Sequence, residues 1–304
     1  MCKAIAIGYL IKVSAANVNA SYTEGNVMVT KKVTLPDGST IPYISGQAIR
    51  RMLRDRLAEL GHTLSEPFAE VSGQQVTPPI KPWDYVDEDL FGYLDPAGYR
   101  RTSPVRVSVA VGLFPFQGDR DLGTRSFERF GQAMSTGGNI FETELYANLF
   151  KGTILVELDR IGVFPTLEIK EKEQKELPIP DRRKRLQDLL EALNILWGGG
   201  RTARMLTDLS PKFIAYSKLN VKHPVFLEAL SAKYENNKYV LELEPLLNAL
   251  DKFKTYRKST IFGLEPGVFD NEHEISDRLK NYGEVVPVHE AIQKAKIEVE
   301  DLWK

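Results

Sequence analysis

The chain has 304 residues, enough for about two domains or for one core carrying large insertions. Hydrophobic residues make up 42% and aromatic residues 10%, which supplies ample material for a buried core. The 40 Lys+Arg against 41 Asp+Glu leave a net charge of -1, which excludes a uniformly basic nucleic-acid coat protein. A local basic surface is still open: residues 265–304 hold ten acids and five bases, so residues 1–264 carry +4.

A single cysteine, Cys2, excludes a disulfide framework and a cysteine zinc site. No stretch approaches the ~18–20 apolar residues of a membrane helix. With so little cysteine, the expected compartment is the cytoplasm.

Lys3 followed by apolar residues mimics the start of a secretory signal, but Lys12 breaks the run. Ile5, Ile7, Tyr9, Ile11 and Val13 alternate with smaller residues, which predicts a first core strand over 4–13. Residues 14–30, rich in Asn, Ser and Gly, read as an ordered loop. A helix is predicted over 45–60, with Ser45 as its cap and Gly61 as its stop. Ile49, Met52, Leu53, Leu57 and Leu60 share one face, and Gln47, Arg50, Arg51 and Arg54 the opposite one. Arg56 falls among the apolar positions and is expected to reach out of the core. Proline-rich residues 62–98 read as an irregular insertion.

Alternation over 105–113 predicts a strand with Val105, Val107, Val109, Val111 and Leu113 inward. Residues 117–139 read as irregular, and 140–158 as paired strands turning near Lys151-Gly152. A charge run over 170–185 leads into a helix whose core face is Leu186, Leu189, Leu190, Leu193, Leu196 and Trp197. Glycines 198–200 stop it. A strand follows over 212–219, and Ile292, Ala295, Val299, Leu302 and Trp303 mark a terminal amphipathic helix. There is no internal repeat. The element order strand, helix, strand, strand, helix, strand matches the ferredoxin-like pattern. Such a sheet covers one face with both helices and leaves the other open, the face that single-stranded RNA binders of the RRM type use.

Enzyme signatures are mostly empty. There is no phosphate loop, and Gly198-Gly199-Gly200-Arg201 follows a helix where phosphate binding needs it to precede one. His289-Glu290 begins a zinc motif, but Gln293 stands where the second histidine belongs. Asp87, Glu88 and Asp89 read as a surface acidic turn. No cofactor, metal ligand set or catalytic residue is expected.

Arginine clusters carry the signal. Gln47, Arg50 and Arg54 form a stripe at i, i+3, i+7, and guanidinium forks match phosphate oxygens bidentately. A solvated helix face explains such a stripe about equally well. Arg100-Arg101 precedes the alternating strand, Arg106 points away from its core side, and Arg201 and Arg204 flank the glycine turn. Phe127 and Phe130 suit base stacking or anchoring of the 117–139 segment, the latter preferred for Phe130. The run Arg182–Arg185 reads as a solvated helix start.

The strand, the loop Asn17-Val18-Asn19…Gly25-Asn26 and the segment Tyr43-Ile44-Ser45-Gly46-Gln47-Ala48-Ile49-Arg50 resemble the DevR family of CRISPR-associated proteins. Arg100-Arg101-Thr102-Ser103-Pro104 and Gly198-Gly199-Gly200-Arg201-Thr202-Ala203-Arg204 fit the same family in the same order. The resemblance spans roughly residues 1–220. These are the repeated backbone subunits of the type I Cascade complex. The resemblance implies an α+β fold, a modified RRM-like palm over 1–220, with a web or finger insertion over 62–98, a thumb over 114–139, and a C-terminal extension over 221–304 packing on the palm.

The resemblance further implies that Ser45, Gln47, Arg50 and Arg54 hold guide phosphates, with Arg100, Arg101, Arg201 and Arg204 along the same groove. Asn17, Asn19 and Asn26 shape the loop beside it. Arg125, Phe127 and Arg129 of the thumb meet RNA and the neighbouring subunit. Partners are CRISPR RNA, target DNA through guide pairing, further copies of the chain and other Cascade subunits, with no membrane.

The aromatic RNP motif of ordinary RRMs is absent. In related type III subunits an aspartate in the loop after the first strand cleaves RNA with a metal. Here that loop offers Glu24, Gly25 and Asn26, so a non-catalytic scaffold is expected. A metal-dependent ribonuclease using Glu24 and a DNA-binding autoregulator are the alternatives, the latter lacking a helix-turn-helix pattern.

Overall fold

The computed structural model describes residues 2–65, 68–69, 76–125, 139–199 and 205–303. Strand β1 (Ala4–Ala16) is apolar on both sides and buried over most of its length. The Asn/Ser/Gly-rich stretch after it is not a loop. It forms β2 (Ala20–Glu24) and β3 (Val27–Thr30), joined at Gly25 with φ +58, before β4 (Lys32–Thr34) and β5 (Thr40–Ile44). Helix α1 (Gly46–Glu59) starts where Ser45 accepts a hydrogen bond from the Ala48 amide at 3.3 Å, the N-cap contact worth about 1 kcal/mol.

The insertion contains β6 (Phe68–Ala69), β7 (Val76–Thr77), α2 (Val86–Phe91), β8 (Tyr93–Leu94) and β9 (Arg100–Arg101). The alternating run over 105–113 is split into β10 (Val105–Val107) and β11 (Ala110–Gly112). At the break, Ser108 bonds to Thr153 through both its amide and its hydroxyl, and Val109 turns out to 43% exposure instead of inward. Strand β12 (Gly118–Arg125) replaces the first part of the expected irregular segment and pairs with β13 (Asn139–Glu157); residues 126–138 of that segment lie outside the described residues.

β13 is one continuous strand, with no turn at Lys151-Gly152. Gly152 lies opposite Tyr9, and a Cβ there would stand 2.3 Å from the Tyr9 ring. The glycine therefore marks a close approach within a strand. Next come β14 (Val163–Phe164), β15 (Lys175–Glu176), α3 (Ile179–Asn194), β16 (Pro211–Leu219), the hairpin β17 (Ser231–Glu235) and β18 (Lys238–Glu242), α4 (Leu243–Lys252), β19 (Arg257–Leu264), α5 (Glu272–Leu279), β20 (Glu284–Val286) and α6 (Val288–Glu300).

The result is an α+β chain built on a large mixed sheet. Its main path runs β20-β19-β16-β1-β13-β11-β5-β4. β19–β20 and β3–β13 are parallel, and the central pairs β16–β1, β1–β13 and β13–β10 are antiparallel. α1 lies in the chain between β1 and β10, and α3 between β13 and β16. Both pack on one sheet face with α6: Ile7, Tyr9 and Ile11 meet Leu53 and Leu57 of α1, Leu189 and Leu193 of α3, and Ile292 of α6.

The opposite face is not open. Leu10, Phe213 and Phe262 are covered by Phe226, Leu230, Leu246 of α4 and Ile275 of α5. The packing is close enough that a Cβ on Gly8 would fall 2.6 Å from Phe226 Cβ. Residues beyond 220 thus supply a second core on the face expected to be bare, and they also extend the sheet itself through β19 and β20.

Three charged features depart from their expected exposure. Asp87, Glu88 and Asp89 are buried in α2, not on a surface turn. Arg182 and Arg185 are buried at 5% and 7%, so the helix start is not solvated there. Arg56 stays inside at 5% exposure, its guanidinium 4.4 Å from the Trp197 ring centroid and bonded to the Trp197 carbonyl.

Candidate functional site

α1 enters the fold against β10. Gly46 is required there, since a Cβ would lie 2.6 Å from the Val107 carbonyl oxygen. This approach brings the polar face of α1 beside the outer side of β10. A cleft of about 440 Å³ opens between them, lined by Arg50, Phe91, Gly92, Tyr93, Arg101, Thr102, Ser103, Arg106 and Val107.

Two arginine walls face this cleft. Arg50 comes from α1, and Arg106 from β10, where it pairs with Glu157 at 2.5 Å. Glu157 is shared with Lys222 at 3.1 Å, so its single charge is divided between two cations. Exposed Arg100 precedes Arg101, which lines the cleft, and exposed Gln47 and half-buried Arg50 share a face of α1. Among the described residues neither Arg50 nor Arg100 has an ion-pair partner. Arg54 is held back: its Nε lies 3.5 Å from Asp87 and its guanidinium 4.9 Å from the Phe91 ring centroid. Burial pushes its pKa down, with Asp87 acting against that shift.

Arg101 does not stand in the groove as expected. Its side chain is fully buried and donates to the Asp89 carboxylate, to Glu168, and to the carbonyls of Asp89, Val163 and Arg160. Every arm of the fork is engaged, so only this residue's main-chain surroundings reach the cleft. Gly92 makes this crossing possible: at φ +72 it lies so close to the Arg101 carbonyl that a Cβ would stand 2.1 Å away.

A second cleft of about 490 Å³ lies across α1, lined by Val18, Asn19, Ala20, Ala48, Arg51, Met52, Asp55, Arg56, Trp197, Gly198 and Gly199. Gly198 and Gly199 have φ of +133 and +106 and press on Met52 and Val18. Asn19 accepts a bond from the Ser45 amide at 2.9 Å and so ties the loop to the helix cap. Asn17 is buried at 2%, and its backbone N–H donates to the Met205 sulfur at 3.4 Å. Asn26 is exposed at the β2–β3 turn, where its carbonyl accepts from Glu142, and it lines neither cleft.

Arg201 and Arg204 of the glycine turn, and Phe127 and Arg129 of the thumb, lie outside the described residues. Arg125 ends β12 opposite Asn139. Glu24 is exposed at the end of β2. Among the described residues no group of three or more His, Cys, Asp or Glu is arranged to hold a metal ion. No helix there is long and apolar enough to cross a membrane.

Sequence reasoning passed over Gly92 and Tyr93, and gave Thr102 and Ser103 a place in a family segment but no role of their own. Their position depends on the two-residue pairing of β8 with β9, Tyr93↔Arg101 and Leu94↔Arg100, which leaves no periodic trace. The Tyr93 hydroxyl donates to the Glu168 carbonyl at 2.6 Å, and burial raises its pKa.

The arrangement provides the unpaired guanidinium of Arg50 on one wall and, on the other, Arg106, whose partner Glu157 is shared with Lys222. That chemistry suits an extended polyanion. A family model described as "CRISPR-associated negative auto-regulator DevR/Csa2" matches residues 83–239, just over half of the chain. Among curated proteins no significant match is found. A solved chain titled "CRISPR RNA-guided surveillance complex, pre-nicking" aligns at a TM-score of 0.61 and 12% identity, over 96% of this chain and 100% of that one. A second, titled "CRISPR RNA-guided surveillance complex", aligns at 0.60 and 14% identity, over 96% and 99%. At such identities these two likenesses speak for the fold.

Proposed function

The chain belongs to the CRISPR-associated DevR/Csa2 family, and from that premise we propose that it is a non-catalytic, RNA-binding backbone subunit of a CRISPR surveillance complex of the type I kind. The observation that carries the reading is the cleft between α1 and β10, with unpaired Arg50 on one wall and Arg106 and Arg100 by the other. Single-stranded RNA presents a phosphate every nucleotide, and cations on both sides of its path bind it with little regard to sequence.

In this reading residues 1–220 form a modified RRM-like palm, interrupted by a web over 62–98 and a thumb over 114–139, with residues 221–304 packed on it. The antiparallel β16-β1-β13-β10 centre and the two crossover helices support the palm. Because the second sheet face is covered, RNA runs along α1 and the arginine walls and not across the sheet. Ser45, Gln47, Arg50, Arg100, Arg201 and Arg204 are the proposed RNA contacts, with Arg106 added and Arg54 and Arg101 moved to supporting places. Asn17, Asn19 and Asn26 shape the adjoining loop. Arg125, Phe127 and Arg129 reach the next copy.

The complex works in the cytoplasm. Successive copies hold the guide, other subunits complete the assembly, and the guide pairs with target DNA. Sequence is then read by base pairing while the protein grips backbone and shape, as in RNA-guided systems generally.

Purification of the chain from cells that carry a CRISPR array, followed by sequencing of the bound nucleic acid, tests this. RNA spanning repeat and spacer is expected. Enrichment of duplex DNA from one promoter would favour the auto-regulator instead. Magnesium-dependent RNA cleavage that disappears in Glu24→Ala would favour a ribonuclease.

A further inference from the structure

Three consecutive acids buried in the six-residue helix α2 call for an explanation, because desolvating one carboxylate is already unfavourable. Positions two apart on a helix point about 200° away from each other. Asp87 and Asp89 therefore leave α2 on opposite sides. Asp87 reaches Arg54 of α1 at 3.5 Å. Asp89 reaches Arg101 of β9 at 2.7 Å. Between them Glu88 accepts from the Ile80 and Lys81 amides at 3.0 and 2.6 Å and anchors α2 to the segment just before it. One short helix thus braces the arginine stripe of α1 on one side and the Arg100–Ser103 segment on the other.

We propose that α2 is a spacer that sets the separation of the two basic walls, and that Arg101 is a positioning residue for RNA binding. The proposal rests on the RNA-binding reading of the cleft. Arg101 carries out the role by fixing the backbone from which Arg100, Thr102 and Ser103 project. Its five-donor fork is fully engaged on one acid of α2, one acid of the β14–β15 loop and three carbonyls, a geometry that lysine cannot reproduce.

Arg101→Met is the informative variant. It leaves no buried acid without a cation: Asp89 keeps Arg185 at 2.7 Å, and Glu168 keeps Arg160 at 2.9 Å. Binding of a fluorescein-labelled 30-nucleotide single-stranded RNA is followed by anisotropy across a salt series, beside thermal melting. Positioning predicts about tenfold weaker binding and a log–log salt slope lower by ~0.7 for each phosphate no longer held, with the chain still folded. Arg101→Lys should behave alike despite keeping its charge, and it is the reporter if the methionine variant does not fold. Binding within twofold of wild type at unchanged slope, whatever the melting temperature, overturns the proposal and leaves a purely structural ion pair. Arg50→Ala in the same series separates the two readings. If it too leaves binding unchanged, the RNA-binding reading of the cleft fails; if it weakens binding and the Arg101 variants do not, only the positioning role fails.

Discussion

Gly46 stands against the carbonyl of Val107, and a Cβ at position 46 would lie 2.6 Å from that oxygen. The helix start and the strand edge are thereby locked together, and the cleft between Arg50 and Arg106 inherits its width from this approach. Gly46→Ala must push backbone against backbone, so a loss of about 1–3 kcal/mol in urea denaturation is expected. RNA affinity should fall with it. Ser45→Ala, which removes the cap together with a proposed RNA contact, should cost about 1 kcal/mol of stability. Unchanged RNA binding in Gly46→Ala would show that cleft width does not matter.

Arg50 and Arg100 have no ion-pair partner among the described residues, so removing both should leave the fold intact. Arg50→Ala with Arg100→Ala is expected to flatten the salt dependence of RNA binding by ~1.4 in log–log slope, at ~0.7 for each phosphate released. Thermal melting should stay within experimental error of wild type. A filter-binding titration with unchanged slope would return the stripe to a solvated helix face.

Burial pushes the Glu88 carboxyl up to about 7, against the Ile80 and Lys81 amide bonds that favour its charged form. A carboxyl that holds its proton more tightly when folded stabilises the fold fully below its unfolded pKa near 4.5. That contribution disappears as pH rises through about 7. Between pH 4.5 and 8, wild type should therefore lose about 3 kcal/mol relative to Glu88→Gln, which cannot titrate. The variant carries a constant penalty for one mismatched amide bond, so the pH trend of the difference is the readout. A flat difference across that range would place the Glu88 pKa near its ordinary value.

Phe226 is 1% exposed and lies over Gly8 in the second core. Phe226→Ala should cost about 3–5 kcal/mol of unfolding free energy. Being on the sheet face opposite α1, it should leave the salt slope of RNA binding unchanged in the folded fraction. A stability change below ~1 kcal/mol in chemical denaturation would mean that residues beyond 220 cover the sheet only loosely.

Where one element alone carries the information, the sequence was legible. The run from Ala4, the 3.6-residue period with a Ser45 cap in α1, and the leucine face of α3 each follow from local chemistry; α1 keeps its expected bounds, whereas β1 runs on to Ala16 and α3 starts at Ile179, within the charge run, and ends at Asn194, before the glycines. Expectation failed where a residue answers to a distant partner. Gly152 reads as a turn until Tyr9 is found opposite it. Val109 breaks alternation because Ser108 bonds to Thr153.

The candidate site divides in the same way. That Gln47, Arg50 and Arg54 share a face is a property of any helix with their spacing. Which of them is free for a ligand is not, because Asp87 holds Arg54 back and lies 33 positions further along the chain. Arg100 and Arg101 are adjacent and chemically identical, yet one is exposed and the other is buried among Asp89, Glu168 and three carbonyls. The sequence by itself determined the periodic elements and the presence of the arginine clusters, since both depend on near neighbours. Only the tertiary structure decided which arginines face solvent and which sheet face is closed, because burial and ion pairing are set by segments tens of residues apart.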